Sequence, residues 1–310
     1  MIFLGRKYKF AEFENEILNK KFSHIHTIVY RNREESEVLD ELKNNLQHGK
    51  AKLLVINTYA ELTDAVVTLL TNLKVSKNLQ IMQIEEFLEI YLKKCFVPQV
   101  GELTDLKFLR GIRGFNALQM AQKVAIDWLF CLPMLVLSLP LWVVSACKIR
   151  AQSPGKIFFK QLRVGKNNKE FECLKFRSMR EDAEKDGAQF ASVNDDRVFA
   201  WGEKMRKTRI DELPQFLNVL KGDMHLVGPR PERLFWTQQF EKQISAYASR
   251  HEVRPGITGW AQVKYPYGAN VEDARQKLMY DLYYIKHWSI FLELHIIYKT
   301  AKVIIGKEGR

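Results

Sequence analysis

Residues 128–147, WLFCLPMLVLSLPLWVVSAC, hold no charge over 20 positions, and Asp127 is the only charged side chain between them and Lys123. At about 1.5 Å per residue a straight helix of that length just crosses a hydrocarbon core of ~30 Å. The competing assignment is a buried core helix of a soluble protein. Pro133 and Pro140 lie inside the run, and each removes a backbone hydrogen bond and bends a helix. Arg110, Arg113 and Lys123 precede it and Lys148 and Arg150 follow, so positive charge flanks both sides and gives a full span no orientation. A single crossing would put the two halves of the chain in different compartments. A helix–break–helix hairpin that dips in and returns keeps both on one side, so the expectation is a re-entrant hairpin broken near Pro140. The opening MIFLGRKYKF carries no signal-peptide pattern, so the N-terminal part is expected to stay in the cytoplasm.

Ahead of that run, strand-like and amphipathic helical stretches alternate. Strands are expected at 1–4, 25–30, 53–57 and 79–84, and helices at 11–21, 34–47, 60–73 and 85–94. Such an alternation predicts a small parallel sheet with helices on its faces. A nucleotide-binding version would carry G-x-G-x-x-G after its first strand. Here Gly5 stands alone before Arg6, Lys7 and Tyr8, so a docking or regulatory domain is the better expectation.

The 310 residues include 48 Lys and Arg against 36 Asp and Glu, a formal charge of +12. The excess concentrates at 148–180, where ten basic residues face only Glu170 and Glu172. A basic patch directly after an apolar run suits anionic lipid head groups and phosphorylated substrates. No nucleic-acid module accompanies it, so nucleic acid is not the expected partner. Within the patch, 157–164 and 170–176 flank a Gly-Lys-Asn-Asn-Lys turn and read as a β-hairpin. Cys95, Cys131, Cys147 and Cys173 have neither metal-ligand spacing nor neighbouring His, and are expected to be reduced, buried thiols. Residues 280–307 mix Trp, Tyr and Lys with an aliphatic face, as an interfacial helix does.

The chemistry concentrates in Arg206-Lys-Thr-Arg-Ile-Asp-Glu-Leu-Pro-Gln215, Asn218–Met224 and Gly228-Pro-Arg-Pro231. Asp211 and Glu212 are adjacent carboxylates in a field of Arg206, Lys207 and Arg209. Nearby cations favour the ionised form, which keeps a carboxylate ready as nucleophile or metal ligand. A hard cation such as Mg²⁺ takes oxygen ligands and bridges to substrate phosphates. Arg230, held in a rigid Pro-flanked turn, presents a guanidinium that matches phosphate. The plain alternative is that Asp211 caps a helix and the basic residues form a solvated face.

These motifs resemble the monotopic phosphoglycosyl transferases, also called bacterial sugar transferases. The resemblance runs from about 123 to 304. It takes in the Lys123…Asp127 lead-in, Pro140, Ser153-Pro-Gly155, Phe159-Lys-Gln161, Arg163-Val-Gly165, Lys175-Phe-Arg-Ser-Met179 and Asp195 to Arg197. It continues through the Asp211–Glu212 cluster, the Gly228–Pro231 turn and Val253-Arg-Pro-Gly-Ile-Thr-Gly-Trp-Ala-Gln-Val263. It implies a two-step reaction. The carboxylate of Asp211 attacks the β-phosphate of a UDP-sugar and releases UMP, and a polyprenyl phosphate such as undecaprenyl phosphate takes the phospho-sugar from the enzyme. Surface-glycan synthesis starts from that product. Glu212 matches the second member of the family's dyad, associated with Mg²⁺. Arg206 and Arg230, with Lys175 and Arg177 as weaker candidates, match positions that hold phosphate.

The implied architecture is an α/β Rossmann-like domain (1–107), a linker helix and re-entrant hairpin (108–150), and a mainly α monotopic catalytic domain with a small β-hairpin (151–310). It implies the cytoplasmic face of a bacterial inner membrane and membrane lipids as partners. A homo-oligomer or a glycan-assembly partner is the expected business of the N-terminal domain. Several positions depart from the family pattern. Leu139 precedes Pro140 where relatives have Ser, His225 stands where they have Ser, and Asp196 and Lys156 replace Pro. His225 is expected to be a polar surface change, with contact to substrate as the lesser alternative. The rival functions are a glycosyltransferase that releases UDP, using Asp195 and Asp196 for metal, and a non-catalytic membrane-docked scaffold.

Overall fold

The computed structural model describes residues 1–47, 51–58, 61–98, 107–183, 195–266, 268 and 270–306. The chain divides into two compact units, Met1–Phe96 and Val97–Arg310. The expected boundary near 107 adjoins 99–106, which lie outside the described residues.

The first unit runs β1 (Ile2–Gly5), α1 (Glu12–Asn19), β2 (His26–Ile28), α2 (Glu35–Gln47), β3 (Leu53–Asn57), α3 (Asp64–Lys77), β4 (Gln80–Gln83) and α4 (Ile84–Phe87). The four strands pair in parallel in the order β2-β1-β3-β4. Leu4 lies opposite both Ile28 and Ile56. Strands covered on both faces must be apolar throughout, and Ile2, Phe3, Leu4, Leu53, Leu54 and Val55 are all buried. Leu4, Leu54, Val38, Leu42, Val66 and Leu70 share one core cluster. Aromatic contacts of Phe3 with Phe10 and Phe87 build another part of the core. A buried Lys94–Glu14 ion pair at 2.5 Å ties the end of this unit to α1. Gly5 is required where it stands. Its φ is +121°, and a Cβ there would lie 2.3 Å from the Asn57 carbonyl oxygen.

The second unit contains α5 (Ala117–Gln152), β5 (Phe158–Val164), β6 (Glu170–Phe176), α6 (Ala200–Thr208), α7 (Gln215–Lys221), β7 (His225–Val227), α8 (Leu234–Glu241), β8 (Gly256–Thr258), α9 (Trp260–Lys264), α10 (Val271–Lys286) and α11 (Ile290–Ile305). β5 and β6 form the antiparallel hairpin read from the sequence. α5 is long and apolar enough to cross a membrane. It starts at an Asn116 capping box with Gln119 and runs on as one helix through Pro133 and Pro140, so the expected break near Pro140 does not divide it into two helices. Lys123, Asp127, Cys131, Ser138, Ser145 and Ile149 recur at spacings of four and seven and are buried, which places them on one face. The opposite face exposes Leu129, Val136, Leu137 and Val143, with Leu137 75% exposed.

The buried face of α5 is held along its whole length. Near its start, Lys123 Nζ donates to Glu293 Oε1 (2.6 Å), Tyr284 Oη (2.7 Å) and the Val227 carbonyl (2.9 Å). Asp127 accepts from the Leu226 N–H (2.8 Å) and from His225 Nδ1 (2.5 Å). Further on, Cys131 packs with Cys173, Phe216, Val219 and Met224, and Ile149 with Phe176 and Met205.

Three expectations change here. Lys123 is a buried structural cation, not a flanking charge that reports orientation. His225 is fully buried, because Asp127 supplies an acceptor that a surface site would not need. The single C-terminal interfacial helix is two helices, α10 and α11, separated at His287–Ser289, where the Ser289 hydroxyl accepts from the Leu292 N–H and starts α11 afresh. Tyr280, Leu282 and Tyr284 of α10 are buried, whereas α11 leaves Phe291 86% exposed. Of the thiols, Cys95, Cys131 and Cys173 are buried as expected, and Cys147 is exposed on the outer flank of α5.

Candidate active site

α6 ends where Arg209 takes a left-handed conformation, φ +60°. The chain then makes a single 3-10 turn, Ile210–Glu212, and Pro214 begins α7. The turn buries both carboxylates, with Asp211 8% and Glu212 7% exposed. Asp211 makes no helix-capping bond, since the N-cap of α7 is Pro214. The capping alternative for Asp211 therefore fails.

Three elements bring cations to this turn. Lys175, on β6, donates to Glu212 Oε1 at 2.9 Å. Arg230, beyond β7, reaches the same oxygen through Nη2 at 2.8 Å. Arg206, in the last turn of α6, acts on Asp211 through its charge. Asn218 of α7 sets where β6 lies against the turn. Its Oδ1 accepts from the Leu174 N–H (2.9 Å) and its Nδ2 donates to the Glu172 carbonyl (2.8 Å). Lys175 follows immediately on that pinned segment.

The Arg230 turn is fixed by backbone contact that only glycine permits. Gly228 N–H donates to the Thr258 carbonyl (2.8 Å) and Gly256 N–H to the Pro229 carbonyl (2.9 Å). A Cβ on Gly256 would lie 2.0 Å from Gly228 N, and one on Gly259 2.2 Å from the Gly228 carbonyl oxygen.

The two carboxylates occupy different electrostatic environments. Burial pushes Glu212 up, but Arg230, Lys175 and Arg209 outweigh it and hold the group well below the usual carboxylate range. Asp211 goes the other way. Burial first, then the charge of Glu212, raise it to about 6 against the pull of Lys175, Arg209 and Arg206. Asp211 Oδ1 is buried and has no hydrogen-bond partner. An ionised oxygen whose lone pairs are not engaged can attack an electrophile or ligate a cation. Among the described residues no group of three or more His, Cys, Asp or Glu could hold a metal. A hard cation at this turn would have two protein carboxylates and would draw its other oxygens from substrate and water, as Mg²⁺ commonly does. The unpartnered Oδ1 fits that arrangement.

Of the residues singled out from sequence, Asp211, Glu212, Lys175, Arg206 and Arg230 are brought together. Arg177 is not. Its Nη1 and Nη2 donate to the carbonyls of Pro154 (2.7 Å) and Ser153 (2.6 Å), at the C-terminal end of α5. Pro140 lies within α5. Asp195 is engaged by Arg197, whose Nε and Nη2 donate to its two oxygens at 2.7 and 2.6 Å. The sequence reading did not single out Asn218 as a brace, nor Arg250 and Asp281, which lie behind Arg230. A buried acid such as Asp281 in an otherwise apolar helical stretch is the kind of signal that could have found them.

A profile of the family described as Bacterial sugar transferase matches residues 118–307. The chain is 51% identical over 170 residues to a UDP-N-acetylgalactosamine-undecaprenyl-phosphate N-acetylgalactosaminephosphotransferase of Aeromonas hydrophila, covering 55% of this chain and 40% of that protein. It is 38% identical over 181 residues to a UDP-glucose:undecaprenyl-phosphate glucose-1-phosphate transferase of Escherichia coli (strain K12), covering 58% and 39%. An uncharacterized sugar transferase of Bacillus subtilis is 41% identical over 170 residues, covering 54% of this chain and 79% of that protein. The chain thus spans about two fifths of the length of the first two relatives. The matched region holds the Asp211–Glu212 turn, the four cations named above that act on it and the whole of α5 except its first residue, and through that region the chain belongs to the bacterial sugar transferase family.

Proposed function

We propose that the protein transfers a sugar-1-phosphate from a UDP-sugar to a membrane polyprenyl phosphate, undecaprenyl phosphate by the relatives' names, and so begins a surface glycan. The observation that carries this reading is the buried, unpartnered Asp211 Oδ1 beside a Glu212 that takes both Lys175 and Arg230. In the first step Asp211 Oδ1 forms a bond to the β-phosphorus. The bond from that phosphorus to the oxygen bridging the α-phosphate breaks, and UMP leaves with the electron pair. In the second step a phosphate oxygen of the polyprenyl phosphate attacks the same phosphorus and frees the Asp211 carboxylate. Lys175, Arg230 and Arg206 hold phosphate oxygens, and their charge opposes the charge that develops on UMP. Asp211 and Glu212 would hold Mg²⁺, which supplies further neutralisation of the diphosphate when bound.

The placement proposed is monotopic, at the cytoplasmic face of the inner membrane, and what supports its one-sided character is the way α5 is held. Both ends of α5 pack on the same unit while its outer face is apolar. A helix held in this way keeps the whole catalytic unit on one side of the bilayer. Cysteines placed near either end of the chain should therefore resist a membrane-impermeant thiol reagent applied from the periplasm, and a labelled C-terminus would show that α5 spans. The parallel order β2-β1-β3-β4 supports a Rossmann-like N-terminal unit with a docking or regulatory role, toward a second copy or a glycan-assembly protein. Against a UDP-releasing glycosyltransferase stands Asp195, already neutralised by Arg197. Against a scaffold stands the unsatisfied carboxylate, a costly feature to keep without use.

The test incubates purified protein, polyprenyl phosphate and Mg²⁺ with a panel of UDP-sugars and identifies the nucleotide released. UMP from one sugar, lost in Asp211→Asn, is the expected result. UDP release, or unchanged UMP release in the variant, would refute it.

A further inference from the structure

Behind Arg230 lies a buried ion pair that the reaction above does not use. Arg250, in the 3-10 turn Tyr247–Glu252, is 5% exposed, and Asp281, in α10, is 1% exposed. Arg250 Nη2 donates to Asp281 Oδ2 at 2.8 Å and also to the main-chain carbonyl of Arg230 at 3.0 Å. Its Nη1 donates to Tyr247 Oη at 2.7 Å. The Arg230 side chain is 37% exposed and ends on Glu212. One residue is therefore gripped at both ends, its carbonyl by a buried cation and its guanidinium by the dyad.

We propose that Arg250 and Asp281 form a positioning pair for Arg230, and that they tune its grip on the substrate diphosphate without touching substrate. This rests on the reading of Arg230 as a phosphate ligand. Burial of two charges is costly unless the geometry is strict. This pair spends one donor of a planar fork on a backbone oxygen whose residue reaches the reacting centre. Gly228 and Gly256 fix the turn on the other side through the Thr258 and Pro229 carbonyls. The carbonyl of Arg230 is a further point of the turn, held by Arg250, and the next carbonyl, that of Pro231, accepts from Arg163 Nη1 at 3.1 Å. A lysine cannot reproduce the arrangement, since its single ammonium cannot serve Asp281, Tyr247 and the Arg230 carbonyl with the geometry of a guanidinium.

The experiment uses the full chain in lipid nanodiscs, with Arg250→Lys, Asp281→Asn and Arg230→Gln, singly and with each of the first two combined with the third. Equilibrium binding of UDP, which needs no turnover, is measured beside KM and kcat for UDP-sugar and the melting temperature. Arg250→Lys and Asp281→Asn should each weaken UDP binding about tenfold, the scale of a displaced charged hydrogen bond. KM should rise by a similar factor, and kcat should fall no further than it does in Arg230→Gln, because the pair acts only through Arg230. In the Arg230→Gln background both should have no further effect, because residues acting through one group are not additive. Losses that add to that of Arg230→Gln, or UDP affinity unchanged in both single variants, would overturn the proposal. A fall in melting temperature with UDP affinity kept in the folded fraction would assign the pair to stability alone and overturn it equally. Wild-type protein that binds UDP but releases no UMP would remove the proposed function while the binding cycle still decides this one. Wild-type protein that binds no UDP would remove both.

Discussion

Acidification should loosen α5 from the rest of its unit through His225. The ring is fully buried, with Nδ1 on Asp127 and Nε2 without a partner. Burial is the main cause that holds the imidazole neutral. Lys123 and Arg254 add to it, Asp127 opposes it, and the result is a pKa lowered from 6.5 to about 4. Below pH 6.5 the unfolded chain takes a proton that the folded one refuses. Stability is therefore lost as pH falls from 6.5 and the loss saturates below 4. At 1.36 kcal/mol per pH unit the full loss is about 3 kcal/mol, and about 2 kcal/mol of it is reached by pH 5. For a unit of this size that corresponds to roughly 4–8 °C in Tm. His251, lowered to about 3 by burial and by Arg250, acts in the same direction, so the wild type alone cannot isolate the effect. The assay compares wild type with His225→Gln by thermal unfolding in nanodiscs at pH 7.5 and 5.0. The difference between the two proteins should move by roughly 4–8 °C in favour of the variant on acidification. A difference that is the same at both pH values would show that the ring is not a buried neutral group, and the account of how α5 is held would fail with it.

Three further outcomes follow from the same geometry. Asp211→Asn should raise Tm by a few degrees as it abolishes UMP release, because it removes a carboxylate that burial and Glu212 both disfavour; a lowered Tm would contradict that electrostatic reading. Gly256→Ala should cost about 3 kcal/mol or more, since its Cβ meets the Gly228 backbone and not a side chain that can yield, and denaturant unfolding within 1 kcal/mol of wild type would refute the close approach. Arg177→Met should cost about 2–4 kcal/mol by stranding the Ser153 and Pro154 carbonyls, with the KM for UDP-sugar unchanged. A raised KM at unchanged stability would return Arg177 to the phosphate site.

What could be read in advance depended on how local each signal is. The strand and helix alternation of the first unit and the β5–β6 hairpin are written in periodicities that a short window contains. The Asp211–Glu212 cluster is likewise a local run of charge. The end of α10 was not legible, because the residues on either side of His287–Ser289 share one composition and only the Ser289 cap separates the two helices. Arg177 and Lys175 are two residues apart and equally basic, yet one faces the dyad and the other the end of α5. Composition cannot separate them, and packing does.

The sequence by itself determined that an apolar segment of bilayer length is followed by a basic stretch and a paired carboxylate, since each is a property of neighbouring residues. Only the tertiary structure decided which charges meet. Lys175, Glu212 and Arg230 are spread over 56 positions and converge on one oxygen, and Lys123 and Asp127 leave the membrane flank to join α11, α10 and β7. Burial then set the chemistry. It turned His225 into a neutral brace and left one Asp211 oxygen without a partner, and both follow from desolvation, which depends on what packs around a group and not on what stands beside it in the chain.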